Sequence, residues 1–265
     1  MAQLVLFDTP GDIIVEIHNR LWAAYHLELR TWDRPLPIDM LGLAMLSQRT
    51  SHDDAWAAYT NLLNTYGGWS GVAAAPTHDI QRQIRMTTWP EQKAPRLQSA
   101  LLNIEHLRGG RIDLDNLVGL STDDALHWLE QLYGVRRKTS SAVLLFSTIH
   151  RRAFPVDTGH RRLMMRLNVL PYLIGWDEAH ARIEELLPST WTADDYELHH
   201  ALAKIHNQTR CTAAVPQCGG CPLSDLCSFG KVSRRRTRPS KSAVRRRTVS
   251  RRVKIDSRVL ALDFS

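Results

Sequence analysis

The sequence has no run of the ~18 uninterrupted apolar residues that a membrane span needs, and its start, MAQLVLFDTPGDII, sets no basic stretch ahead of an apolar one. Neither a helical membrane protein nor a chain with a secretory leader is expected. Cysteine is scarce, with four in 265 residues and none before position 211, so a disulfide-stapled mini-domain is excluded. Apolar-polar alternation is rare and no repeat of 20 to 50 residues stands out, against sheet-built and solenoid folds. What is present is 43% hydrophobic residues, enough for the core of one large or two modest domains and too many for a disordered chain.

The formal charge of +7 is unevenly spread. Residues 231–265 hold thirteen of the 34 Lys and Arg and two of the 27 acidic residues, leaving the first 230 positions mildly acidic. The blocks RRRTRPSK and RRRTVSRR repel one another and bury nothing. This tail is expected to be disordered and to attract a polyanion, nucleic acid above all, by counterion release. A merely solubilising extension is the alternative. The final VLALDF is apolar enough to dock, on a surface the sequence does not name.

From residue 10 to 210 apolar positions recur at spacings of three and four, the mark of an all-α body. Asp12 to Leu29 has one apolar face, and Pro37 to Ser47 is apolar on most sides and is expected to be buried. Ser51 caps a helix running to Tyr66 and stopped by Gly67-Gly68. Another starts near Lys93 and stops at Gly109-Gly110, and Ser121 opens one that continues through Leu132.

Three features carry chemistry. The first is a tight turn, Tyr133-Gly134-Val135-Arg136, between that helix and a second one starting at Arg137. Such a turn directs the first N–H groups of the second helix outward, with the positive end of its dipole behind them, where a phosphate fits. Arg136, Arg137 and Lys138 crowd this end although the dipole disfavours them. The second is Phe154-Pro155-Val156-Asp157-Thr158-Gly159. Asp157 reads as a helix N-cap, and also as a carboxylate able to face Lys138 across a cleft. A lysine beside cations and a helix N-terminus has its pKa lowered toward nucleophilic reactivity, although the ordinary fate of a lysine is solvation. The third is Cys211, Cys218, Cys221 and Cys227, spaced C-x6-C-x2-C-x5-C. In a reducing compartment four such thiols gather a metal, either tetrahedral zinc or a 4Fe-4S cluster. Only one C-x2-C knuckle is present where zinc ribbons favour two, so iron–sulfur is preferred.

Together these features resemble endonuclease III, the iron–sulfur branch of the helix-hairpin-helix DNA glycosylases. The family hairpin, roughly LPGVGRKTA, lies over Leu132 to Ser140; its VDT lies over Val156-Asp157-Thr158; its cysteine loop has the same spacing. LSQRT at 46–50 is similar to the family's glutamine-bearing LSAQAT loop, and His199-His200-Ala201-Leu202 to its HHW segment. The match covers about residues 10 to 230.

The resemblance implies an all-α, two-lobed fold. Residues 1–34 and 151–230 would form the cluster lobe, 35–150 a six-helix block, and 231–265 the tail. It also implies base-excision repair of double-stranded DNA by a monomer, intracellular and cytoplasmic or nucleoid-associated. Lys138 would attack the sugar, and Asp157 would stabilise the charge that develops. Gln48, Gly134, Val135, Arg136, Arg137 and Thr139 would contact DNA, and the four cysteines would hold a 4Fe-4S cluster, with zinc as the alternative. Oxidised pyrimidines are the default lesion; a mismatch or uracil-type glycosylase and an inactive DNA-binding relative are the alternatives. Three departures stand out: Arg136 replaces a family glycine and would need a positive φ or a changed turn, Gly159 replaces a histidine, and Trp89 stands in a loop where relatives carry a smaller wedge residue.

Overall fold

The computed structural model describes residues 11–27 and 33–231. The tail beyond Lys231, with its expected disorder and its VLALDF ending, lies outside the described residues.

Helices follow one another as α1 Asp12–Tyr25, α2 Pro37–Leu46, α3 His52–Tyr66, α4 Trp69–Ala74, α5 Thr77–Gln83 and α6 Pro90–Leu107. A 3-10 turn at Asp115–Gly119 leads to α7 Thr122–Glu130, α8 Arg137–Phe146, α9 Thr158–Arg166, α10 Trp176–Leu186 and α11 Ala193–Thr209. No strand occurs among the described residues. None of the described helices is long and apolar enough to cross a membrane. The start signals act as their chemistry dictates: Ser51 accepts from the Asp54 N–H, Ser121 from the Asp124 N–H, and Gly67 closes α3 at φ 71°. The first helix stops at Tyr25, short of the expected Leu29, because His26 turns left-handed at φ 47° and its N–H closes on the Trp22 carbonyl.

The chain divides into two compact units. Among the described residues one unit takes 33–155 and so α2 to α8, with the two short helices α4 and α5 on either side of Pro76. Its centre is α2, buried along its whole length and packed on α8, α3 and α6. The α8 face from Thr139 to Phe146 is equally buried. The other unit takes 11–27 and 156–231. There α11, buried from Tyr196 to Asn207, is the central rod, with α1 and α9 against it.

Candidate functional site

In the first unit the hairpin turn is built on one left-handed residue, Gly134 at φ 82°. Such a backbone suits glycine, whereas a Cβ would strain it. Arg136 has φ −125°. The strain expected of an arginine in the family's second glycine position is therefore absent, and the turn tolerates it as extended backbone. Arg136 is exposed and supplies no side-chain cap to α8. Arg137 is committed elsewhere: its Nε donates to Glu130 Oε1 at 2.7 Å, and Ser140 Oγ shares that acceptor at 2.8 Å. The pair joins the two arms of the hairpin.

Two of the expected DNA contacts face inward. Val135 is buried and its N–H donates to the Leu132 carbonyl; Thr139 is buried and its N–H donates to the Arg136 carbonyl. They shape the turn, and their donors are spent within it. The outer face of the hairpin is left to Gly134, Arg136 and the first turn of α8, which carries the half-buried Lys138.

The same unit carries Gln48 in a turn directly after α2. Gln48 is partly exposed, and Arg49 next to it is exposed with a left-handed φ of 52°. The Arg49 guanidinium lies 5.4 Å from the ring centroid of Trp89, which is 45% exposed at φ 55°. Trp89 is thus a surface residue and not part of the core.

In the second unit Asp157 is 5% exposed and caps α9, its Oδ1 accepting the His160 N–H at 2.6 Å. Behind it His160 Nε2 lies 3.4 Å from His199 Nε2, and the His18 and His199 rings stack with centroids 5.6 Å apart. Burial pushes His160 down to about 4 and holds His199 well below its ordinary value, so both imidazoles are neutral near pH 7. Gly159 has a packing reason: a Cβ there would come within 3.2 Å of Asn207, tighter than ordinary contact. The missing histidine side chain is space used by α11.

The far end of α9 holds the cysteine loop. Arg166 donates to the Cys211 carbonyl at 3.1 Å, to Cys211 Sγ at 3.1 Å and to the Thr212 carbonyl at 2.9 Å, and its guanidinium lies 4.7 Å from the Phe229 ring. Arg162 reaches Asn207 Oδ1 and the Cys211 carbonyl, each at 3.1 Å. From α1, Tyr25 bonds His206 Nδ1 at 2.8 Å, while His206 Nε2 lies 3.7 Å from Cys221 Sγ; Arg20 pairs with Asp225.

All four cysteines line one partly open pocket. No three of their sulfurs lie within 4.8 Å of one another. Burial raises the Cys221 and Cys227 thiols from their ordinary value, an effect that a bound cation would reverse. The Gly230 N–H points at Cys227 Sγ at 3.4 Å, as backbone donors do toward metal-bound thiolates.

Comparison with known structures and sequences bears on this arrangement. The structure of a trapped endonuclease III–DNA covalent intermediate superposes with a TM-score of 0.67, covering 86% of this chain and 99% of that one at 22% identity. The fold is endonuclease III-like. Endonuclease III of Sulfolobus acidocaldarius is 27% identical over 188 residues, 70% of this chain and 78% of the relative. A putative DNA glycosylase of Arabidopsis thaliana is 28% identical over 191 residues, again 70% of this chain. The chain spans 64% of the length of that plant protein and as little as 9% of other plant relatives. No family model matches. The endonuclease III-like fold accommodates both departures, Arg136 and Gly159, without distortion of the turn or of α9.

Signals in the sequence were absent for Arg162, Arg166 and Lys93, whose partners are tens of residues distant. Lys93 is buried and bonded to the turn that carries Gln48.

Proposed function

We propose that this chain is a base-excision repair DNA glycosylase that also cleaves at abasic sites by β-elimination. The observation that carries the reading is the hairpin: Lys138 stands in the first turn of α8, beside an exposed arginine and an uncapped helix start. A phosphate backbone fits that start through main-chain N–H groups and dipole, giving affinity without sequence readout. The target nucleotide must leave the stack, at a cost of a few kcal/mol.

The chemistry then follows from an amine and a carboxylate. Lys138, as the free amine, bonds to C1′ while the C1′–N bond breaks and the base departs with a proton. The sugar opens to a Schiff base, a C2′ proton is removed, and the 3′ phosphate leaves. Water then hydrolyses the imine and frees the lysine. Asp157 stabilises the positive charge that develops on the sugar, a role that requires the carboxylate form. Its α9 N-cap geometry fixes the carboxylate before DNA arrives.

The four cysteines would hold a 4Fe-4S cluster. Sulfurs around a tetrahedral zinc, with bonds of about 2.3 Å, lie about 3.8 Å apart, closer than the spread of these thiols. When bound, the cluster would supply structural closure of the loop, far in sequence from Lys138. Double-stranded DNA with a damaged base or abasic site is the partner, bound by a monomer, and oxidised pyrimidines are the first lesions to try. The inactive-relative alternative, motivated in the sequence by Arg136 and Gly159, is separated from this reading by the lesion panel below.

Borohydride trapping tests the reading. Cluster-loaded protein offered duplexes with a panel of lesions and abasic sites should release base, cut the strand and form a covalent adduct that Lys138→Ala abolishes. An adduct that persists undiminished in that variant would falsify the role given to Lys138.

A further inference from the structure

Lys93, in α6, is 6% exposed, and its Nζ donates to the Leu46 carbonyl at 2.5 Å and to Thr50 Oγ1 at 2.6 Å. The proposed reaction does not use this amine. Its two acceptors bracket Gln48 and Arg49. The Leu46 carbonyl belongs to the last turn of α2, where a donor satisfies an orphan acceptor and a cation complements the dipole. The Thr50 hydroxyl is shared, because it also accepts the Thr88 N–H at 3.0 Å. Thr88 Oγ1 in turn donates to the Arg49 carbonyl at 2.7 Å. These bonds join the turn after α2 to the segment before α6, and on the outer side of the joint Arg49 lies over Trp89. Both residues hold left-handed backbone, which is costly for a non-glycine residue. Two adjacent strained, exposed side chains need something underneath that over-determines them.

We infer that Lys93 is a positioning residue: its amine closes the 46–50 turn from below and fixes how Gln48 and the Arg49–Trp89 stack are presented to a duplex whose base pair has been opened. The inference rests on the DNA reading given above. An Arg–Trp stack offers an aromatic face and a cation to an unpaired base, and Gln48 offers amide donors and acceptors beside it.

Burial pushes the Lys93 amine down to about 8, and desolvation is the whole cause. Charged groups on the elements packed around it are engaged elsewhere or exposed. Asp39 of α2 accepts from Trp69, Asp79 of α5 pairs with Arg82, and Arg96 of α6 reaches Gln92. Arg85 and Glu91 are exposed. A neutral amine still has two N–H donors, as many as the acceptors facing it, so the hold survives loss of the proton.

The test uses full-length protein. Lys93→Met keeps the volume and removes the donors; Lys93→Arg keeps donors. In Lys93→Met, amide exchange at Thr50 and Thr88 should speed up about tenfold while that of Val143 to Phe146 in α8 stays slow. Preference for a duplex bearing a tetrahydrofuran abasic analogue over the intact duplex should fall by a similar factor, with intact-duplex affinity held by the hairpin. Lys93→Arg should restore both. A Lys93→Met protein that keeps slow exchange and full preference overturns the inference, and so does one that loses affinity for both duplexes equally. Should Lys93→Met not fold, Thr50→Val, which removes only the shared hydroxyl, is read by the same criteria. If the wild-type protein shows no preference for the abasic duplex, the DNA reading fails, and the exchange data still decide whether Lys93 holds the turn.

Discussion

Arg166 and Cys211 are joined twice, the guanidinium donating at 3.1 Å both to the sulfur and to the carbonyl of the same cysteine. One side chain thereby sets the first metal-ligand candidate and the backbone that leads into the loop. Replacing it leaves several acceptors without a donor. Arg166→Leu is expected to purify with less bound iron and a weaker visible absorption, and to melt several degrees lower. Arg166→Lys should fall between the two, because an ammonium cannot span so many acceptors. Iron content equal to wild type in the leucine variant would remove Arg166 from this role.

Asp157 and asparagine are equally good caps, so Asp157→Asn separates the carboxylate's charge from its structural duty. The variant should melt close to wild type and lose about 10²-fold or more in the single-turnover rate of base release, as expected when one group stabilising transition-state charge is removed. A rate within threefold of wild type would mean that the carboxylate is a cap only.

The hairpin turn depends on the backbone of Gly134. With φ at 82°, Gly134→Ala is expected to lose about 1 kcal/mol or more in urea unfolding. Space is not the obstacle, since the nearest atoms to a new Cβ, on Arg96 and Met45, lie at 3.7 Å. Affinity for duplex DNA should fall as the turn relaxes, most visibly at low salt. Unchanged stability and affinity would show that the turn accepts a side chain.

His160 makes stability fall in acid. Its pKa drops from 6.5 to about 4 on burial, with the nearby Asp157 charge opposing. Between those values the unfolded chain binds more protons than the folded one. The contribution is therefore complete above about 6.5 and is lost as pH falls through about 4, with a ceiling on the order of 3 kcal/mol. Urea midpoints at pH 7, 5.5 and 4 should decline in wild type and decline less steeply in His160→Gln. Since His199 and His206 are depressed as well, the variant should flatten the curve without abolishing its slope.

Local chemistry made much of this legible before any coordinates. Ser51, Gly67 and Ser121 announce helix ends through bonds to residues three or four positions away, and the structure places them there. The hairpin and the Asp157 cap were readable for the same reason. Lys93 was not, because a lysine on a helix reads as solvated unless one knows that Leu46 and Thr50 lie beneath it. Arg162 and Arg166 read as the polar face of α9 until the cysteine loop is seen against them. Val135 and Thr139 show the limit of a motif: it names residues, and only the fold tells that these two are buried in the turn.

Arg49 and Trp89 each occupy backbone that glycine would adopt at little cost. In a lineage selected for foldedness alone, substitutions to glycine or asparagine at either position would tend to be favoured and large side chains would be purged. Large side chains at two such positions are what a surface shaped for contact would carry, and laboratory evolution of thermostability should be watched for replacement at these two sites.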